Sequence, residues 1–350
     1  MTSTAQSLTL ARPDDWHLHL RDGDALAAVV GDSARVFARA IVMPNLKPPV
    51  ATVAAAADYR ARILSALPAG SRFVPLMTLY LTDDTPASEI ARARASGFVH
   101  ACKYYPAGAT TNSAAGVTNI DNAWPMFAAM EREGMVLCVH GEVTDADIDV
   151  FDRERVFIER HLARIVAGFP ALRIVFEHAT TREAIEFVRA AGPNVAATLT
   201  PQHLLYSRNA MLAGFLRPHL YCLPILKREV HRRALVAAAT SGDPKFFLGT
   251  DSAPHPRHAK ESACGCAGCY SAPAALELYA EVFDAAGALD ALEGFASFHG
   301  ADFYGLPRNT DSITLRRENW QVPAQCALGA DSVVPLSAGD TLAWRAVVPA

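Results

Sequence analysis

Short apolar runs alternate with longer stretches of helical spacing along most of this chain. Eight runs stand out, at 16–20, 40–43, 72–80, 98–104, 135–139, 172–176, 194–199 and 245–248. The segments between them, such as 53–67, 122–133, 152–167 and 182–191, are rich in Ala, Glu, Arg and Leu. Their apolar positions recur at the three- and four-residue intervals of a helix with one buried face. Thr181-Arg182-Glu183 supplies a helix start and Gly192-Pro193 a stop. Strands that alternate with helices are expected to run parallel, because each helix carries the chain back to begin the next strand in the same direction. Eight such units over roughly 250 residues predict a (β/α)8 TIM barrel. Beyond about residue 305 the pattern changes: 313–315, 332–336 and 342–348 read as short strands joined by Gly, Pro and Asp turns. The expected organisation is a barrel over 1–305 and a small C-terminal appendage of short strands over 306–350.

The polar residues at the end of each run decide the chemistry. The first run holds His17 and His19, and side chains two apart on a strand share a side. Trp16, Leu18 and Leu20 are then expected on the opposite face. The second run leads to Pro44-Asn45, the fourth ends in Lys103-Tyr104-Tyr105-Pro106, and the fifth in His140-Gly141-Glu142. The sixth ends in Glu177-His178, the seventh leads to Thr200-Pro201-Gln202-His203, and the eighth ends in Gly249-Thr250-Asp251-Ser252-Ala253-Pro254-His255. Barrel enzymes place their chemistry at strand C-termini. Four imidazoles (His17, His19, His140, His178) and the Asp251 carboxylate suit divalent cations of zinc type. They hold two such ions if a further anion bridges them. A Lys103 ammonium would be repelled by dications, whereas its neutral amine adds CO2 to give a bridging carbamate. The alternative is an ordinary lysine paired with Asp251 or Glu142. Glu142 is placed to orient a neighbour rather than to bind metal.

Composition narrows the classes. With 350 residues, 51% of them hydrophobic, the chain can bury a large core. A formal charge of −4 gives no electrostatic reason to expect nucleic acid or an anionic membrane as partner. The first six residues lack the basic and apolar regions of a signal peptide, and no stretch approaches the roughly 20 apolar residues of a membrane span. A cytoplasmic location is expected. Three of the seven cysteines cluster as Cys264-Gly-Cys266-Ala-Gly-Cys269, and Cys102 and Cys138 fall in apolar runs as small buried thiols.

Trp16-His17-Leu18-His19-Leu20-Arg21-Asp22-Gly23 resembles the opening motif of dihydroorotases in the amidohydrolase superfamily. Met43-Pro44-Asn45, Lys103-Tyr104-Tyr105-Pro106, His140-Gly141-Glu142-Val143 and Gly249-Thr250-Asp251-Ser252-Ala253-Pro254-His255 resemble the same family, in its compact bacterial type. The likeness runs from about Leu8 to the C-terminal strands. It implies two Zn2+ per subunit: His17, His19 and Asp251 on the first, His140 and His178 on the second. Lys103 matches the lysine that is carboxylated and bridges both. Arg21, Asn45 and His255 match positions that hold a substrate carboxylate. Backbone groups near Leu223 and Ala267 match contacts to a pyrimidine ring, and Thr110 and Thr111 match the tips of a mobile loop. The implied small-molecule reaction is reversible cyclisation of N-carbamoyl-L-aspartate to L-dihydroorotate, with a hydroxide bridging the zincs and Asp251 moving its proton as base and acid. By formal count the implied site keeps about one excess positive charge, which suits an anionic substrate. A homodimer is also implied.

Three rival readings have distinct signatures. A hydantoinase-like cyclic amidase would share the metals but not need Arg21, Asn45 and His255. A module binding zinc or an iron–sulfur cluster would rest on Cys264, Cys266 and Cys269. A catalytically dead barrel would serve as a partner scaffold.

Overall fold

The chain's architecture, given by a computed structural model that describes residues 6–347, turns each of the eight apolar runs into a strand. After a first strand β1 (Ser7–Ala11) come β2 (Asp14–Leu18), β3 (Arg39–Val42), β4 (Val74–Tyr80) and β5 (Val99–Tyr104). Next are β6 (Val136–Val139), β7 (Ile174–Phe176), β8 (Val195–Leu199) and β9 (Phe246–Leu248). Strands β2 to β9 pair in chain order, every pair parallel, with helices between them. The ring is joined where β2 meets the segment after β9. Asp251 N donates to His17 O at 2.8 Å, and His19 N donates to Ser252 O at 3.1 Å. Two functional segments are thus fixed together by the bonds that close the barrel.

Side chains alternate between two packed layers. Ala40 and Val42 of β3 join the layer between sheet and helices, whereas Ile41 joins a smaller cluster with Val136, Cys138, Val175 and Phe247. Trp16 belongs to this second cluster, not to the face of Leu18 and Leu20, and so corrects the expected alternation. The register of β2 against β3 shifts between Asp15 and Leu18, which interrupts the two-residue period. Trp16 stacks on Tyr304 at 4.5 Å between centroids. The helix His299–Tyr304 approaches so closely that a Cβ on Gly300 would lie 2.1 Å from Trp16 Nε1.

The strands after the barrel are β10 (Ser312–Gln321), β11 (Cys326–Leu328), β12 (Asp331–Val333) and β13 (Thr341–Val347). Strand β10 pairs antiparallel with both β1 and β13, and β11 pairs with β12. The three-stranded sheet therefore takes a strand from each end of the chain. It is tied to the helix Ala275–Ala285 through Glu281, whose carboxylate accepts from Ala343 N and Trp344 N at 2.5 and 3.0 Å. The expected run 342–348 coincides with β13 save for Val348, which lies outside the described residues.

Candidate metal centre and active site

Three side chains meet at the closure of the barrel. His17 Nε2, His19 Nε2 and Asp251 Oδ1 are mutually 3.0–3.3 Å apart and buried. Donors about 2.1 Å from one cation, at tetrahedral to octahedral angles, stand about 3.0–3.4 Å from each other. Outer partners fix the tautomers. His17 Nδ1–H donates to Glu177 Oε2 and His19 Nδ1–H to Asn45 Oδ1, each at 2.9 Å. The Asn45 orientation is set because its Nδ2 donates to Thr111 O at 3.0 Å. Both Nε2 lone pairs therefore face each other and an ionised carboxylate. Three acceptors converging on one point are relieved by a cation between them, either a proton shared with the carboxylate or a metal ion. Burial lowers the His17 pKa, but the Glu177 charge and the hydrogen bonds to Asp251 and Glu177 outweigh it and raise the group overall. His19 is pushed down to about 4, chiefly by burial. Asp251 resists the upward pull of burial and lies well below the usual carboxylate range because both imidazoles bond to it.

His140 and His178 stand beside this triangle. Their ring centroids are 4.8 Å apart, and that of His178 is 5.0 Å from His17. Glu142 Oε2 meets His140 Nε2 at 2.8 Å, which leaves the opposite ring nitrogen free. Burial lowers the pKa of both rings, so they are held in the neutral form that binds metal. Lys103 is 0% exposed and its Nζ has no hydrogen-bond partner. Burial lowers its pKa, favouring the free amine. His178 Nδ1 is likewise buried without a partner. This donor set fits two divalent cations bridged by an anion on Lys103.

A narrow cavity of about 20 Å3 covers the cluster. Its lining includes eleven of the thirteen residues expected at the site: His17, His19, Arg21, Asn45, Thr110, Thr111, His140, His178, Leu223, Asp251 and Ala267. Lys103 is buried in the same cluster, close enough that its charge acts on His17, His140 and His178. His255 lines the adjoining outer cavity and accepts from Arg21 Nη2 at 3.0 Å. Arginine only donates, so the His255 proton sits on Nδ1, and the 3.0 Å approach of Nε2 to Ala267 O carries no hydrogen. Burial, then the Arg21 charge, pushes His255 down to about 3. Arg21 Nε is engaged by Pro254 O at 2.9 Å. Thr111 Oγ1 donates to Ala267 O at 3.2 Å, and Asn112 Nδ2 donates to Asn45 O at 3.0 Å. The loop 106–116 therefore lies down across the cavity.

Sequence reasoning missed several contributors. Tyr105, Ala253 and Gly268 also line the cavity. Glu177, quoted beside His178 but given no role, orients His17. Strand neighbours ordinarily point apart; here His178 has φ +41°, and Arg21 and Asp251 have φ +58° and +47°. These left-handed residues re-aim side chains in ways alternation does not foresee. Asp15 ties β2 to the segment after β9 by accepting from His17 N, Thr250 N and Thr250 Oγ1. His203 is structural, held between Thr200 Oγ1 and Pro224 O. The cysteine module is not assembled. Cys264 and Cys266 sulfurs are 3.4 Å apart, but Cys269 is buried against His219 O. Among the described residues, His17, His19 and Asp251 form the group of three convergent His, Cys, Asp or Glu ligands.

Comparison with known proteins agrees with this geometry. The amidohydrolase family pattern matches residues 15–318. Dihydroorotases of Pseudomonas aeruginosa and Cupriavidus necator are 68% and 66% identical, each over 97% of this chain and over 97% and 99% of their own lengths. The crystal structure of Saccharomyces cerevisiae dihydroorotase in complex with 5-fluoroorotic acid superposes with a TM-score of 0.91 at 34% identity, over 98% of this chain and 99% of that one. Campylobacter jejuni dihydroorotase gives 0.89 at 35% identity, over 99% of both chains. An L-hydantoinase from Arthrobacter aurescens, at 17% identity and a TM-score of 0.80, shares the fold, covering 98% of this chain and 84% of its own. With a metal-ready cluster at the mouth of its barrel and these relatives along its whole length, the chain belongs to the dihydroorotases of the amidohydrolase family.

Proposed function

We propose that this chain interconverts N-carbamoyl-L-aspartate and L-dihydroorotate in pyrimidine biosynthesis, using two zinc ions and a carbamate on Lys103. The carrying observation is the convergence of three acceptors, His17 Nε2, His19 Nε2 and Asp251 Oδ1, beside a buried amine with no partner. Two zinc ions, when bound, lower the pKa of a nucleophilic water and polarise an amide carbonyl. His17, His19 and Asp251 would hold one, His140 and His178 the other, and carboxylated Lys103 both. Asp251 stays ionised, so it is competent as a base. In ring opening it takes the proton of the attacking water and delivers it to the departing amide nitrogen, and ring closure reverses both transfers.

Substrate choice rests on the other wall. Arg21 offers a guanidinium to the substrate carboxylate. His255 orients that guanidinium, and Asn45 retains one amide hydrogen after meeting Thr111 O. Backbone groups of Leu223 and Ala267 face the ring. Thr110 and Thr111 close over it and exclude water. Among the described residues, no helix is long and apolar enough to cross a membrane. A cytoplasmic setting and a homodimer belong to the same reading.

Hydrolysis of dihydroorotate and of an uncharged hydantoin, compared in kcat/KM, tests the assignment. Preference for dihydroorotate by at least about a hundredfold is expected, because a partly buried guanidinium facing the cavity has no anionic partner in the neutral ring. Equal rates would instead make the chain a general cyclic amidase.

A further inference from the structure

Two buried lysines, Lys227 and Lys260, lie outside the centre just described. Lys260 ends the short helix Arg257–Lys260 and is 3% exposed. Its Nζ donates to Tyr221 O at 2.6 Å, Gly268 O at 2.8 Å and Cys266 O at 2.9 Å. All three ammonium hydrogens are thereby used. Among the described residues, no carboxylate comes within ion-pair distance of it. A buried charge balanced by carbonyl dipoles and the Tyr221 ring, 5.8 Å from Nζ, with no counter-ion beside it, is costly to keep, so its placement needs a reason beyond packing.

The reason lies in what those carbonyls belong to. Tyr221 precedes Leu223 by two residues, and Cys266 and Gly268 flank Ala267. Leu223 and Ala267 line the cavity, and in the dihydroorotase reading their backbone groups face the ring. Ala267 O is also where the closed loop lands, through Thr111 Oγ1 at 3.2 Å. The segment needs an external clamp because its backbone is unusual: Gly265, Cys266 and Gly268 have φ of +68°, +29° and +152°. A side chain at Gly268 is excluded, since its Cβ would lie 2.6 Å from Ala253 O. The direct backbone bond between the two loops here is Gly268 N to Tyr221 O at 3.0 Å.

We propose that Lys260 is a positioning residue for substrate closure: its ammonium grips the peptides on both sides of Ala267 and ties them to the Leu223 loop, so that the loop 106–116 finds its landing carbonyl in place. This rests on the dihydroorotase reading of the cavity. Lys260 touches neither substrate nor metal, so its loss should appear in binding before chemistry.

The test is Lys260→Met, nearly isosteric but without donors, in the metal-loaded enzyme. The expected result is a KM for dihydroorotate raised by about tenfold or more, with kcat within about threefold and metal content unchanged. Hydrogen exchange at saturating dihydroorotate should quicken in 106–116 and 264–268 and nowhere else. Unchanged KM and unchanged exchange, or a lower Tm with both unchanged, overturn the proposal. Should Lys260→Met not fold, Lys260→Gln keeps two N–H donors and is expected to raise KM less; a wild-type KM there overturns it equally. Absence of dihydroorotate turnover in the wild-type chain would count against the functional reading and not against the clamp, which hydrogen exchange of ligand-free Lys260→Met in 264–268 still tests: faster exchange there supports it and unchanged exchange overturns it.

Discussion

A primary amine sealed in a protein with no acceptor in reach is destabilising unless its chemistry is changed. Lys103 is in that position, and so is His178 Nδ1 close by. Reaction with CO2 would turn the amine into a bidentate anion and a metal would saturate it, which resolves both the unpaired nitrogen and the surplus of acceptors around Asp251. The pKa shift has the matching sign: burial favours the neutral amine, the form that adds CO2. Lys103→Ala is therefore expected to lose at least one metal per chain and to drop turnover by more than about a hundredfold. Acetate or propionate added with zinc should restore part of both, by supplying the missing oxygens in the space the side chain leaves. Metal analysis and initial rates read the outcome. Full metal content and full rate in Lys103→Ala would remove the bridge from the proposal.

At the scale of elements, the strands were readable and the turns between strand and chemistry were not. Each of the eight apolar runs overlaps its strand because burial on both faces demands continuous apolar residues. His17 and His19 were legible as a pair through simple alternation. Trp16 was not, since the register shift in β2 moves it across the sheet, and Glu177 was not, since the left-handed His178 lets adjacent residues serve one centre. Strand β1 escaped notice because its partner β10 lies some 300 residues away, and no local pattern announces such pairing. The loop 106–116 was legible as a small polar connector whose position after β5 gave it a role. Its closed form adds a mechanism: the Thr111 hydroxyl holds Ala267 O, and its carbonyl is held by Asn45. Thr110→Ala combined with Thr111→Ala is expected to lower kcat/KM for dihydroorotate about tenfold to a hundredfold, as the loss of one or two hydrogen bonds implies, with metal content intact. Unchanged kinetics would strip the loop of its closing role.

For the molecule as a whole, the neutrality of buried imidazoles ties stability to pH. His203 is the simplest case, remote in sequence from the metal ligands and 2% exposed. Its Nε2–H donates to Pro224 O at 2.9 Å, so Nδ1 must accept from the Thr200 hydroxyl at 2.7 Å. A proton on Nδ1 would force the Thr200 hydroxyl to turn and accept instead, and burial pushes this group down to about 4. His255 moves the same way, to about 3. In the unfolded chain both titrate near 6.5. Above that pH neither state binds the proton, and the neutral folded imidazole costs nothing. As pH falls from 6.5 toward 4 the unfolded chain takes up protons that the folded one refuses, so stability drops by up to about 1.4 kcal/mol per pH unit for a fully buried site. Partly exposed His255 contributes less. Urea midpoints measured on chelated protein, where metal release adds nothing, should decline steadily between pH 6.5 and 4.5. Replacing His203 by Asn, which keeps a donor and an acceptor but does not titrate, should make that decline shallower. A decline equally steep in His203→Asn would mean that the acid sensitivity arises elsewhere and that His203 is protonated in the folded barrel without penalty.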